Sequence, residues 1–142
     1  MRNLSILLIK LLLTAATLVY GIVPAIADLN ETHLYNPQWS PHARVHGAWF
    51  LFFGAFMALF SLFHLWLRDD LIRPIIIGLC YVGGFWGAFL TSSFYGGALV
   101  DDNGIEVRVL GLESNVFVFS VLAVVFLTTL PYGMRHRSTA RN

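Results

Sequence analysis

The chain has 142 residues, of which 57% are hydrophobic and 12% charged, and its mean hydropathy is +0.70. That balance excludes an ordinary water-soluble domain, and a formal net charge of +1 without a basic patch interleaved with aromatics excludes a nucleic-acid binder. With one cysteine, Cys80, inside an apolar run, neither an internal disulfide nor a cysteine-based zinc site can form within one chain.

Four apolar stretches, Leu4–Ala27, His46–Leu67, Pro74–Phe94 and Ser114–Tyr132, each approach the roughly 20 residues that cross a hydrocarbon core of about 30 Å. The spacing predicts an all-α membrane protein, one domain over 1–142, with transmembrane helices of about 4–27, 41–67, 71–94 and 114–132. Short connections predict an antiparallel four-helix bundle. Arg2, Arg68, Arg73, Arg135, Arg137 and Arg141 fall on one side of this arrangement, against Arg44 and Arg108 on the other. Positively charged loops stay cytoplasmic, so both termini are expected inside and loops 28–40 and 95–113 on the outer (periplasmic, extracellular or lumenal) face. Asp28, Glu31, Asp101, Asp102, Glu106 and Glu113 share that outer face, leaving Asp69 and Asp70 inside. Lys10 lies close enough to the cytoplasmic end to snorkel.

The first helix has a rival reading. Met1-Arg2-Asn3, an apolar run and Ala25-Ile26-Ala27 before Asp28 also fit a cleaved signal peptide. The run exceeds the roughly 7–15 residues of a signal core and Lys10 interrupts it, which favours a retained helix.

Between the first two helices, polar, aromatic and proline residues crowd into Asp28-Leu-Asn-Glu-Thr-His33-Leu-Tyr-Asn36-Pro37-Gln-Trp39-Ser40-Pro41-His42-Ala-Arg44-Val-His46. Ser40-Pro41 is a helix start, since serine caps free N–H groups and the fixed φ of proline suits the first helical position. His42 and His46 then share a helical face, with Trp49 further along the same stripe. Asn36-Pro37 favours a turning backbone, and Tyr35 and Trp39 suit the headgroup belt, so an ordered loop folded back onto the membrane is expected. Folded that way, Asp28, Glu31, His33, His42 and His46 form a candidate ligand set for zinc, iron or manganese. The alternative is structural: histidines that cap and anchor a helix start, and Arg44 on a lipid phosphate. The pair lacks the glutamate that His-Glu-x-x-His places between its histidines. His64, about 27 Å from His46 along the helix, cannot join this site. Asn30-Glu31-Thr32 matches the glycosylation pattern.

In the third helix Gly83, Gly84 and Gly87 with Ala88 predict a close helix contact, within the bundle or between protomers. Phe85, Trp86 and Phe89 flank that stripe, and Thr91, Ser92 and Ser93 bring hydroxyls to the outer end. Asn103-Gly104, with alternating Ile105, Val107 and Val109 after it, predicts a small outer β-hairpin whose Asp101 and Asp102 are turn residues or bind a cation. Pro131 and Gly133 are expected to close the fourth helix, leaving a basic tail that attracts anionic lipid. No phosphate loop, nucleophile elbow or ionisable relay through the bilayer is visible, which disfavours a pump or channel.

The pattern Asp28-x4-His33-x2-Asn36-Pro37-x-Trp39-x-Pro41-His42-Ala43-Arg44-x-His46, with Phe94-Tyr95-Gly96-Gly97 and Asp101, resembles a family of small four-helix membrane proteins of unknown function. The resemblance covers most of the chain. Some fungal members carry an acetyltransferase-like label, and no residue here supports acetyl transfer. It implies a fold and an important surface without a mechanism.

Three functions fit these features. A divalent metal held by His33, His42 and His46 with Asp28 or Glu31 would act on a lipophilic substrate. A non-catalytic scaffold would join a membrane protein partner or a second copy through the glycine face. A metal-free lipid or sterol binder would use a pocket lined by Trp49, Trp86, Ser92 and Arg44.

Overall fold

A computed structural model describes residues 2–100, 104 and 106–139. In chain order it contains α1 (Arg2–Gly21), α2 (Val23–Ala27), α3 (Pro41–Leu67), α4 (Ile72–Thr91), a single 3-10 turn (Ser92–Phe94), β1 (Arg108–Val109), β2 (Leu112–Glu113) and α5 (Ser114–Thr139). Four helical stretches are long and apolar enough to cross a membrane: Leu4–Ala27, Pro41–Leu67, Ile72–Phe94 and Ser114–His136. Only 17% to 28% of each is buried inside the molecule, so most of the Leu, Phe, Ile and Val surface is turned outward, as suits a chain whose solvent is lipid.

Apolar burial does not drive helices together in lipid; close packing and hydrogen bonds do. Tyr20 illustrates both. It is fully buried, its hydroxyl lies 3.0 Å from Ser61 Oγ on α3, and its ring meets Tyr81 of α4 and Phe126 of α5. Glycine permits the tightest crossings: a Cβ at Gly21 would overlap Ala58 of α3, and one at Gly78 would overlap the Phe126 ring.

Several sequence expectations are corrected here. The first span, Leu4–Ala27, carries a local interruption at Ile22, where Pro24 has no N–H to give back to the preceding turn, while Ile22 N still donates to Leu18 O at 2.9 Å and Ile26 N to Ile22 O at 3.1 Å. The hairpin of the described residues turns further along the chain than the Asn103-Gly104 signal. Its antiparallel pairs are Arg108 with Glu113 and Val109 with Leu112, and the two turn residues are Leu110 (φ 52°) and Gly111 (φ 82°). Positive φ at both positions is what the right-handed twist of a two-residue hairpin requires. Asp101, Asp102 and Asn103 lie outside the described residues. Pro131 and Gly133 do not end the last helix, which runs to Thr139. A proline removes one backbone donor, while packing beyond it holds the helix: Gly133 sits under Ile72 and Ile75 of α4.

At one end of the molecule, the short connection between α3 and α4 is clasped from both sides. Asp69, with φ 50°, receives Lys10 Nζ of α1 at 2.6 Å and His136 Nε2 of α5 at 3.5 Å. Asp70 Oδ1 accepts from Ile72 N at 2.9 Å, and its carboxylate pairs with Arg73. The other end carries both long connections, residues 28–40 and 92–113, and is called here the loop end.

Candidate functional site

The loop after α2 is held by its own asparagines. Asn30 Oδ1 accepts from the backbone N–H groups of Thr32 and His33 at 2.9 and 3.0 Å, while its Nδ2 donates to Ala27 O at 2.6 Å, the last carbonyl of α2. Short polar side chains of this kind replace helix bonds that the chain has just given up. Asn36 is buried; its Oδ1 accepts from Gln38 N at 2.9 Å, and its carbonyl accepts from Arg44 at 3.0 Å. Arg44 thereby draws the loop back onto α3. Trp39 completes the fold by lying over Gly47, where an added Cβ would come within 3.1 Å of its ring. Ser40 Oγ caps α3 by accepting from Ala43 N at 3.2 Å.

This loop closes one end of an apolar cleft of about 830 Å³. Its walls come from every long helix: Val19, Val23 and Pro24 before the loop, Phe50, Phe53 and Met57 of α3, Ile76, Tyr81 and Phe85 of α4, and Phe119 and Leu122 of α5. Phe85 stacks on Phe119 with centroids 4.0 Å apart and planes 9° from parallel, and Tyr81 lies 8° from parallel to Phe119 at 6.3 Å, giving a preformed aromatic wall.

Polar groups gather at the loop end of this cleft: Asp28, His33, Ser114 and Asn115. The His33 Nδ1 edge faces the loop, 2.9 Å from Thr32 Oγ1 and 3.3 Å from Asn30 Oδ1. Thr32 Oγ1 also donates to Asn30 Oδ1 at 3.0 Å, and the Nε2 edge of His33 turns toward Asp28, whose Oδ1 is 3.9 Å away. Glu113 caps α5 by accepting from Asn115 N and Val116 N at 2.9 and 3.0 Å, which fixes the backbone of Ser114 and Asn115 at the cleft.

The five residues expected to share a metal do not come together. Asp28 and His33 form one pair at the cleft, and His42 and His46 form another on the first turns of α3, with Nε2 atoms 3.1 Å apart. Glu31 is exposed on the loop between them. Among the described residues no group of three or more His, Cys, Asp or Glu is placed to hold a metal ion. Arg44 and Trp39 seat the loop beside α3, while His33 turns toward the cleft.

The expected pocket lining is also redistributed. Trp49 is largely exposed and contacts the His46 ring at 6.0 Å. Trp86 packs on Phe85 and Phe89, and Ser92 borders a second recess of about 500 Å³ with Tyr95, Glu106 and Glu113. Neither Arg44, Trp49, Trp86 nor Ser92 lines the main cleft. Of the glycine stripe, Gly84 lines it with Ala88, and among the described residues no atom beyond the helix's own backbone and the adjoining residues comes within 4 Å of a Cβ at Gly83, Gly84 or Gly87. Sequence reasoning passed over Phe50, Phe53, Tyr81, Ser114, Asn115 and Phe119. The usable signals were a lone tyrosine in the third apolar run and a Ser-Asn pair opening the fourth.

A family model described as a family of unknown function (DUF6640) matches residues 12–140. No curated protein and no solved structure matches the chain.

Proposed function

The chain belongs to the family of unknown function DUF6640, and for it we propose a role as a membrane protein that holds a lipophilic molecule in the cleft among its helices. The observation that carries this reading is the coincidence, in one cleft of about 830 Å³, of a largely apolar lining with a few polar groups gathered at one end. Sites for small hydrophobic molecules have this composition: area for affinity, and a handful of polar atoms for orientation. In this reading Asp28 and His33 orient the polar end of the guest, and Ser114 and Asn115 flank it.

We place both termini in the cytoplasm and the loop end on the outer face, so that the polar end of the cleft lies at outer headgroup level. The excess of arginine on the opposite side supports this orientation. A photoactivatable lipid probe tests the reading on full-length protein in nanodiscs. Saturable labelling of peptides from α3, α4 and α5, lost in Gly84→Phe, is the expected result. Labelling unchanged by Gly84→Phe, or absent across sterols, fatty alcohols, fatty acids and phospholipids, would overturn it.

A second reading keeps a divalent metal, on the strength of the His42–His46 pair. Two imidazole nitrogens 3.1 Å apart suit adjacent positions around one ion at metal–nitrogen distances of about 2.0–2.1 Å. Elemental analysis of wild type beside His42→Ala/His46→Ala decides it: near-stoichiometric metal lost in the double variant supports the reading, and none in either opposes it.

A further inference from the structure

The histidine pair on α3 fills half of a coordination shell. His42 and His46 hold their Nε2 atoms 3.1 Å apart, and their rings meet edge to face with centroids 4.6 Å apart. The Trp49 ring, 6.0 Å from that of His46, backs the pair one turn further along. At metal–nitrogen distances of about 2.0–2.1 Å, the 3.1 Å separation corresponds to an angle of about 100° at the ion, near the tetrahedral value.

A closed zinc site takes four ligands, and one chain supplies two. Among the described residues no third His, Cys, Asp or Glu joins the pair. The recess around it, about 620 Å³, is otherwise lined by Gln38, Trp39, Ser40, Ala43 and Gly47. Of these, Ser40 Oγ already caps α3 by accepting from Ala43 N, and the amide oxygen of Gln38 suits harder ions than zinc. Arg44, between the two histidines in sequence, donates to the Asn36 carbonyl and does not line the recess.

The pair also faces away from its own bundle. At about 100° per residue, Trp49, Phe56 and Phe60 continue its stripe along α3, and all three are exposed. The residues that α3 buries, among them Ala58, Ser61 and Leu65, lie on the opposite side of the helix. Copies of one chain insert the same way round, so two copies in one bilayer carry their histidine pairs at the same height. A two-fold axis along the bilayer normal sets one patch of each copy against the same patch of the other. Four imidazole nitrogens then meet on the axis, and the aromatic stripes of the two α3 helices run side by side beneath them.

Resting on the metal reading of the His42–His46 pair given above, we propose that two copies of this chain share one divalent ion of zinc's class, each copy supplying Nε2 of His42 and of His46. Each neutral imidazole gives its Nε2 lone pair and keeps its proton on Nδ1. The ion thereby joins the outward faces of two α3 helices at the loop end of the molecule.

The test counts ions and copies together. Full-length protein without a polyhistidine tag is stripped with chelator in detergent and titrated with zinc sulfate. Elemental analysis gives the bound zinc, and size exclusion with light scattering gives the mass of the protein. Zinc is expected to saturate at one ion for every two chains while monomer converts to dimer, with chelator reversing both and His42→Ala/His46→Ala losing both. One zinc per chain on a monomer overturns the sharing and leaves the metal reading standing. No bound zinc in wild type, or zinc bound equally by the double variant, overturns both. A second measurement keeps the bilayer. Leu67→Cys in a Cys80→Ala background, at the far end of the same exposed stripe, is labelled with a donor or an acceptor dye and the two are mixed in phosphatidylcholine vesicles. Energy transfer should rise with zinc and fall with chelator, and transfer that ignores zinc overturns the sharing.

Discussion

At the scale of the residue, single polar side chains decide how oily helices meet and how the loop after α2 holds its shape. Tyr20→Phe removes the bond to Ser61 and leaves a fully buried hydroxyl on α3. Hydrogen bonds between helices in membranes are worth about 0.6 kcal/mol on average and about 1.7 at most, so a small fall in melting temperature in detergent is expected, with the fold retained. Asn36→Ala should cost about 0.5–1.5 kcal/mol, because the Gln38 amide of this partly exposed loop loses the buried side-chain oxygen that accepts from it. A melting temperature equal to wild type would show that the loop does not depend on it. Both residues stand in plain view in the sequence. Asn36 was legible as a turn before proline, whereas Tyr20 was not, since nothing local marks which tyrosine of an apolar run will face another helix.

Elements obey simpler rules, and here the sequence was most readable. The four apolar runs and the Ser40-Pro41 start correspond to helices because length and capping are local properties. Features governed by distant contacts were not legible in this way: α5 passes Pro131 because α4 packs beneath Gly133, and the hairpin turns on Leu110-Gly111, where a leucine at positive φ carries no sequence signal. The same distinction separates the glycines. Gly78→Leu should disrupt the α4–α5 crossing, since its side chain would occupy the Phe126 ring, and a loss of monodisperse protein on size exclusion is the expected sign. Gly83→Leu/Gly87→Leu should leave the monomer folded and stable, because among the described residues no group beyond the helix itself lies within 4 Å of a Cβ at either position. If those two glycines instead join a second copy or a membrane partner, the double variant abolishes a specific crosslink in native membranes, and an undiminished crosslink would discount that role.

For the whole molecule, the charge pattern along the sequence leads to one topological prediction. In a Cys80→Ala background, a single cysteine at Leu29 should react with a membrane-impermeant thiol reagent from outside intact cells, and one at Arg68 only after the membrane is opened. Labelling of both from one side would contradict the proposed orientation. The candidate site became visible only at this scale. Its walls are drawn from segments more than a hundred residues apart, Val19 to Leu122, and apolar runs look alike until their facing sides are known. Asp28 and His33 were legible as functional candidates, but their partners were not: sequence proximity grouped them with His42 and His46, and the fold grouped them with Ser114 and Asn115.

The clasp on Asp69 gives the molecule the mechanics of a pair of tongs. At that end a four-residue link, with Lys10 and His136 on one carboxylate, keeps α1, α3, α4 and α5 at fixed separation. At the opposite end the helices are joined by segments long enough to part without breaking a helix. A bulky guest entering from the bilayer would therefore spread the jaws near Ala27 and Ala88 while the pivot stays still. Spin labels at Leu29 and Leu90 should show a broader distance distribution than labels at Leu7 and Leu67, and Lys10→Met should broaden the second pair as the pivot loosens.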